Sequence, residues 1–132
     1  MRLSRDEVAR AFVQRIEELS EERVLTCYQC GKCSAGCPMV EFMDRPPHQV
    51  IRLVQLGQEQ AALAAEAPWY CAACHSCASR CPRGTDLSRV MEALRSVALR
   101  AGRPRLDWNK LPPEVLARLP QQAFVSGARK LT

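Results

Sequence analysis

Eight cysteines stand in two runs of one spacing: Cys27, Cys30, Cys33 and Cys37, then Cys71, Cys74, Cys77 and Cys81. Each run reads C-x2-C-x2-C-x3-C and is closed by a proline, Pro38 or Pro82. That is the bacterial pattern for a 4Fe–4S cluster, in which the fourth cysteine serves the other cluster of a pair. The physical reason is reach. Three cysteines at short intervals lie on one tight loop and can hold three irons. The fourth sits one residue further on, and the proline behind it biases its backbone toward extended conformations. Its thiolate is aimed away from its own loop. The expected sets are therefore Cys27, Cys30, Cys33 with Cys81, and Cys71, Cys74, Cys77 with Cys37. Two clusters are the expected cofactors. Structural zinc sites use paired C-x2-C knuckles with a longer spacer, which these runs do not match.

The neighbours of the cysteines carry smaller expectations. Gly31 and Gly36 let the first loop wrap closely. Lys32 beside the first loop, and Arg80 and Arg83 beside the second, would raise reduction potentials, as would free backbone N–H groups aimed at cluster sulfurs. Tyr28, Trp69 and Tyr70 adjoin the runs and suggest a dry aromatic shield. His75, inside the second loop, is a candidate for tuning a cluster and not for ligating one. His48 reads as ordinary surface. No catalytic residues are expected: nucleophile, general base and glycine-rich phosphate loop are all missing from the sequence.

These loops must be held by something. In a chain of 132 residues, 47% of them apolar, one small domain is the expectation. Ser4 to Glu7 forms a capping box, and Val8, Phe12, Ile16 and Leu19 follow at helical spacing, so a helix is expected over 5–22. Pro46 and Pro47 open a second helix carrying Val50, Ile51, Leu53, Val54 and Leu56, with Gly57 as its stop. A short piece over 59–66 should end before Pro68. Thr85 or Asp86 caps a further helix whose buried face is Leu87, Val90, Met91, Leu94 and Val97, stopped by Gly102 and Pro104. No segment alternates like a strand. The fold class is all-α: an α-helical ferredoxin-like domain wrapped around two clusters, over residues 1–102. Residues 103–132 differ in composition and read as a C-terminal extension that docks on a partner. It carries one short helix over 113–119 and no periodicity in its last dozen residues.

The formal charge of +5 counts thiols as neutral. Eight thiolates and two oxidised cluster cores add about −8 and +4, which leaves the loaded chain near +1. The arginines are scattered, so nucleic-acid binding is not expected. No apolar run approaches the ~20 residues of a membrane span, and Met1 to Arg10 has no signal-peptide core. A reducing cytoplasm is the expected location.

With these residues in view, the chain resembles the C-type subunit of heterodisulfide reductase. The resemblance lies in Cys27-Tyr-Gln-Cys30-Gly-Lys-Cys33-Ser-Ala-Gly-Cys37-Pro38, in Trp69-Tyr70-Cys71, in Cys81-Pro82-Arg83-Gly84 and in the helix through Leu94. It implies an α-helical ferredoxin that conveys electrons from one heterodisulfide reductase partner to another. One is the A-like partner, which bears flavin and clusters; the other is the B-like partner, which reduces a disulfide. The rival readings are the iron–sulfur subunit of a quinone-linked dehydrogenase or reductase, and a free-standing dicluster ferredoxin. The first would normally bring a C-x4-C-x2-C domain or a fused catalytic region, and the second would typically be shorter and acidic. Anaerobically prepared protein is expected to be brown and to contain about eight irons and eight sulfides per chain. Stoichiometric zinc in such material would overturn the cluster reading.

Overall fold

The computed structural model describes residues 7–132, with side chains from residue 10 onward. Nine α-helices follow one another, and among the described residues there is no strand. They are α1 (Glu7–Ser20), α2 (Lys32–Ala35), α3 (Pro47–Gln55), α4 (Glu59–Ala64), α5 (Ala67–Tyr70), α6 (Ser76–Arg80), α7 (Leu87–Arg100), α8 (Pro113–Arg118) and α9 (Gln121–Leu131). The all-α expectation is met. The capping box at Ser4 and the Val8 side chain lie outside the described residues.

Helix α7 is the strut of the body. It packs on α1, α3, α4, α5 and α6. Its five expected apolar positions, Leu87, Val90, Met91, Leu94 and Val97, are all buried. They meet Phe12 and Ile16 from α1 and Val50, Ile51 and Val54 from α3 in one core. Leu19, expected on the same face of α1, is instead 37% exposed. The chain leaves the helix two residues later, at Glu21 with φ 58°, while Ser20 in the same last turn stays buried.

Caps set the ends. The Asp86 carboxylate accepts the Ser88 N–H at 3.0 Å and starts α7. Gly102, at φ 69°, stops it in the left-handed conformation that glycine adopts without steric cost. Pro46 and Pro47 open α3 as expected, and Gly57 (φ 65°) follows its end. Pro68 does not terminate a helix. It sits in the first turn of α5, where its missing N–H costs nothing, and Asp44 Oδ1 accepts the N–H groups of Glu66 and Ala67 there, both at 2.9 Å. Helices α2 and α6 are single turns inside the cysteine runs. A four- or five-residue helix leaves no periodicity to read.

Residues 103–132 are folded against themselves. The N–H groups of Arg105 and Leu106 both donate to the Leu131 carbonyl, at 2.8 and 3.2 Å. Trp108 lies 5.5 Å from Phe124, centroid to centroid, and covers Gly127 so closely that a Cβ there would meet the indole at 2.9 Å. The last dozen residues are therefore helical, contrary to the expectation. Glutamine, alanine, arginine and lysine favour a helix without marking a face, and the close packing of Trp108 on α9 depends on a glycine, which reads as a breaker. Side chains tie this unit to the body. Arg105 pairs with Glu66, and Lys130 Nζ donates to the Cys71 carbonyl at 2.8 Å.

Candidate cluster-binding site

Each cysteine run is a loop followed by one helical turn, and the two loops repeat each other's backbone. Gln29 and Ala73 are left-handed at matching positions, with φ 66° and 52°. Two residues on, Gly31 and His75 are left-handed as well, with φ 78° and 57°, and they cap α2 and α6. Side-chain residues in this region carry a strain of about 1–2 kcal/mol. At His75 the strain is offset by hydrogen bonds. His75 Nδ1 lies 2.7 Å from Asp86 Oδ2 and 2.9 Å from Ser88 Oγ, which staples the second loop to the start of α7. Burial pushes the Asp86 carboxyl up, but hydrogen bonds from Ser88 and His75 outweigh it and hold the group below the usual carboxylate range.

The thiols repeat too. Cys27, Cys33, Cys71 and Cys77 pack against the hydrophobic core, while Cys30 and Cys74 are exposed. Burial pushes the Cys33 and Cys77 thiols up. The Lys32 N–H pulls the Cys30 thiol below its ordinary value, and Ser76, through hydroxyl and N–H, does the same for Cys74. The Thr85 N–H donates to Cys81 Sγ at 3.3 Å. Backbone N–H groups aimed at sulfur stabilise the extra negative charge of a reduced cluster.

Each fourth cysteine lies near the opposite loop. Cys37 lines a cavity together with Cys71, Cys74 and Cys77. Met39, Met43, Pro47, Leu87 and Met91 supply its apolar wall. On the other side, Arg80 and Arg83, which flank Cys81, reach Gly36 and Tyr28 of the first loop. Cys81 thus stands beside the first loop. Among the described residues, no three His, Cys, Asp or Glu side chains converge on a point that one metal ion would fill. Thiols that ring a space rather than a point fit a cluster.

Three expectations need correction. Arg83 is not beside the second loop: its guanidinium lies 5.9 Å from the centre of the Tyr28 ring, and its Nε donates to the Thr26 carbonyl at 3.3 Å. Arg80 lies over Gly36, also in the first loop, where a Cβ would run into its guanidinium. Both arginines travel with Cys81. Second, of the expected aromatic shield, Tyr28 and Tyr70 are 58% and 40% exposed and only Trp69 is half-buried, so the shield is open to water at the two tyrosines. Third, His48 is not ordinary surface. Its Nδ1 lies 2.7 Å from Ser34 Oγ, and its N–H donates to the same oxygen at 3.0 Å, tying the first turn of α3 to the residue after Cys33. Gln55, to which the sequence assigned no role, donates its amide to the carbonyls of Val24 and Cys27, at 2.9 and 2.8 Å. A polar side chain on an apolar helix, next to Val54, is the only signal the sequence offers for it.

The sequence that builds this site has known relatives. Residues 23–85 match the family model described as a 4Fe-4S dicluster domain. The C-type subunit of the ferredoxin:CoB-CoM heterodisulfide reductase of Methanosarcina acetivorans is 35% identical over 96 residues, which are 73% of this chain and 37% of that protein. A C-type iron-sulfur subunit of the CoB–CoM heterodisulfide reductase of Methanocaldococcus jannaschii is 31% identical over 119 residues, covering 84% of this chain and 63% of its own. A protein of Archaeoglobus profundus described as like the heterodisulfide reductase C-type subunit is 33% identical over 90 residues, or 67% of this chain and 48% of its own. The chain thus spans between about a third and two thirds of these relatives. Two 4Fe–4S clusters are its cofactors.

The loop geometry separates two glycines. Around Gly31 a Cβ meets nothing within 4 Å, yet φ is +78°, so Gly31→Ala is expected to cost about 1–2 kcal/mol through strain alone. Gly36→Ala displaces only the flexible end of an exposed arginine and should stay within about 0.5 kcal/mol. Anaerobic guanidinium unfolding of the cluster-loaded variants, followed at the cluster absorbance, checks the order. Gly36→Ala as the more damaging change would refute it.

Proposed function

This chain is a 4Fe–4S dicluster relative of the heterodisulfide reductase C-type subunit, and from that premise we propose that it relays electrons inside a complex of that type. It passes them between a flavin- and cluster-bearing partner and a disulfide-reducing one. The observation that carries the reading is the pairing of a shared interior with two open edges. Cys37 reaches into the cavity of the second loop, while Cys30 and Cys74 leave one thiol of each loop at the surface. When bound, each cluster takes up and returns an electron. The chain's own residues hold the two loops side by side and aim N–H groups at the sulfurs. Among the described residues no helix is long and apolar enough to cross a membrane. Eight unpaired cysteines suit a reducing cytoplasm, where thiols stay available for metal.

We assign Cys27, Cys30, Cys33 and Cys81 to one cluster and Cys71, Cys74, Cys77 and Cys37 to the other. The body, 1–102, would hold both. The extension, 103–132, would dock a partner through the side turned away from the body. It keeps Val115 and Val125 43% and 50% exposed, and carries six basic residues against two acidic ones. Its partner surface would be acidic with an apolar centre.

Two experiments test this. Cys81→Ser should remove or transform the cluster held by Cys27, Cys30 and Cys33, seen by electron paramagnetic resonance. It should stop electron transfer through the reconstituted complex without dispersing its components. Damage confined to the cluster of Cys71 would reject the crossed assignment, and full electron transfer with one cluster lost would reject the relay. Ending the chain after Gly102 should leave both clusters in place and release the partner. Loss of both clusters would show that the extension belongs to the core.

A further inference from the structure

The two halves of the site correspond position by position, so Val24 and Cys27 of the first match Pro68 and Cys71 of the second. The same two carbonyls are held in each half, but by different chemistry. In the first, one neutral amide, Gln55 on α3, donates to both Val24 and Cys27. In the second, two cations share the task. Arg95 Nη1 on α7 donates to the Pro68 carbonyl, and Lys130 Nζ on α9 donates to the Cys71 carbonyl, both at 2.8 Å. Lys130 is half-buried there.

We propose that Lys130 is a positioning residue for the cluster at Cys71, Cys74 and Cys77, and that it raises that cluster's reduction potential. The inference rests on the cluster assignment proposed above. It has two physical parts. A reduced cluster carries one more negative charge, and a half-buried cation one peptide away from a ligand stabilises it more than a neutral amide does. The second part is orientation. A trans peptide points its C=O and the next N–H in opposite directions. With the Cys71 carbonyl turned onto Lys130, the Ala72 N–H faces the other way, and Ala72 lines the cavity. Among the described residues that N–H donates to no backbone carbonyl. The C-terminal extension thereby reaches the cofactor site through a single side chain, and Arg105 pairing with Glu66 keeps it seated.

The test is a redox titration of the full, cluster-loaded chain followed by electron paramagnetic resonance. A Cys74→Ser chain first identifies the signal of the second loop. Lys130→Gln keeps a donor of shorter reach and removes the charge. The second-loop cluster should then become harder to reduce by about tenfold, which for one electron is about 59 mV. The first-loop cluster should not move, and Lys130→Arg should restore most of the difference. Unchanged potentials with both clusters present would overturn the role of Lys130, and so would an equal shift in both. If Cys74→Ser alters the first-loop signal instead, the cluster assignment itself fails, and the inference with it.

Discussion

Cys27, Cys33, Cys71 and Cys77 rest on the same hydrophobic core, and that contact ties two short loops to one framework. Neither loop has regular structure of its own beyond a single helical turn, and such turns are unstable in isolation. What fixes them is the surface they lie on, built by α7 and completed by α1 and α3. The remaining polar contacts then act as fasteners on a surface already shaped. Ser34 with His48 holds the first loop to α3, and His75 with Asp86 and Ser88 holds the second to α7. A domain this small buries limited apolar area, so the cofactors it encloses are part of its stability as well as its chemistry.

Much of this was legible in the residues. The cysteine spacing and the two prolines pointed to the cofactors, and the apolar rhythm of Leu87, Val90, Met91, Leu94 and Val97 located the central helix, because a long amphipathic helix writes its period plainly. The losses have distinct causes. Helices α2, α5 and α6 are too short to show a period, and α5 carries in its first turn the proline before which its predecessor ends. The placement of Arg80 and Arg83 followed Cys81 across the molecule, which sequence proximity to the second run concealed. His48 and Gln55 act through partners far away in the chain, Ser34 in one case and Cys27 in the other. Nothing local to His48 announces such a contact, and Gln55 offers only its polarity beside Val54.

The repeat is close in backbone and loose in side chains. A left-handed position is met by Gly31 in one half and by His75 in the other. The glycine accepts the conformation freely, while the histidine needs Asp86 and Ser88 to hold it. Symmetric scaffolding with unequal fittings is how one fold gives two like cofactors different surroundings.

The exposed thiols of Cys30 and Cys74 have a consequence beyond docking. Wherever a ligand sulfur reaches solvent, the cofactor edge behind it is within reach of any small oxidant. Dioxygen and peroxide need no docking surface and no partner recognition. The same openness that shortens the path for a partner's electron exposes the cofactor to air. A complex that covers these two thiols would lengthen the lifetime of the cofactors simply by being assembled.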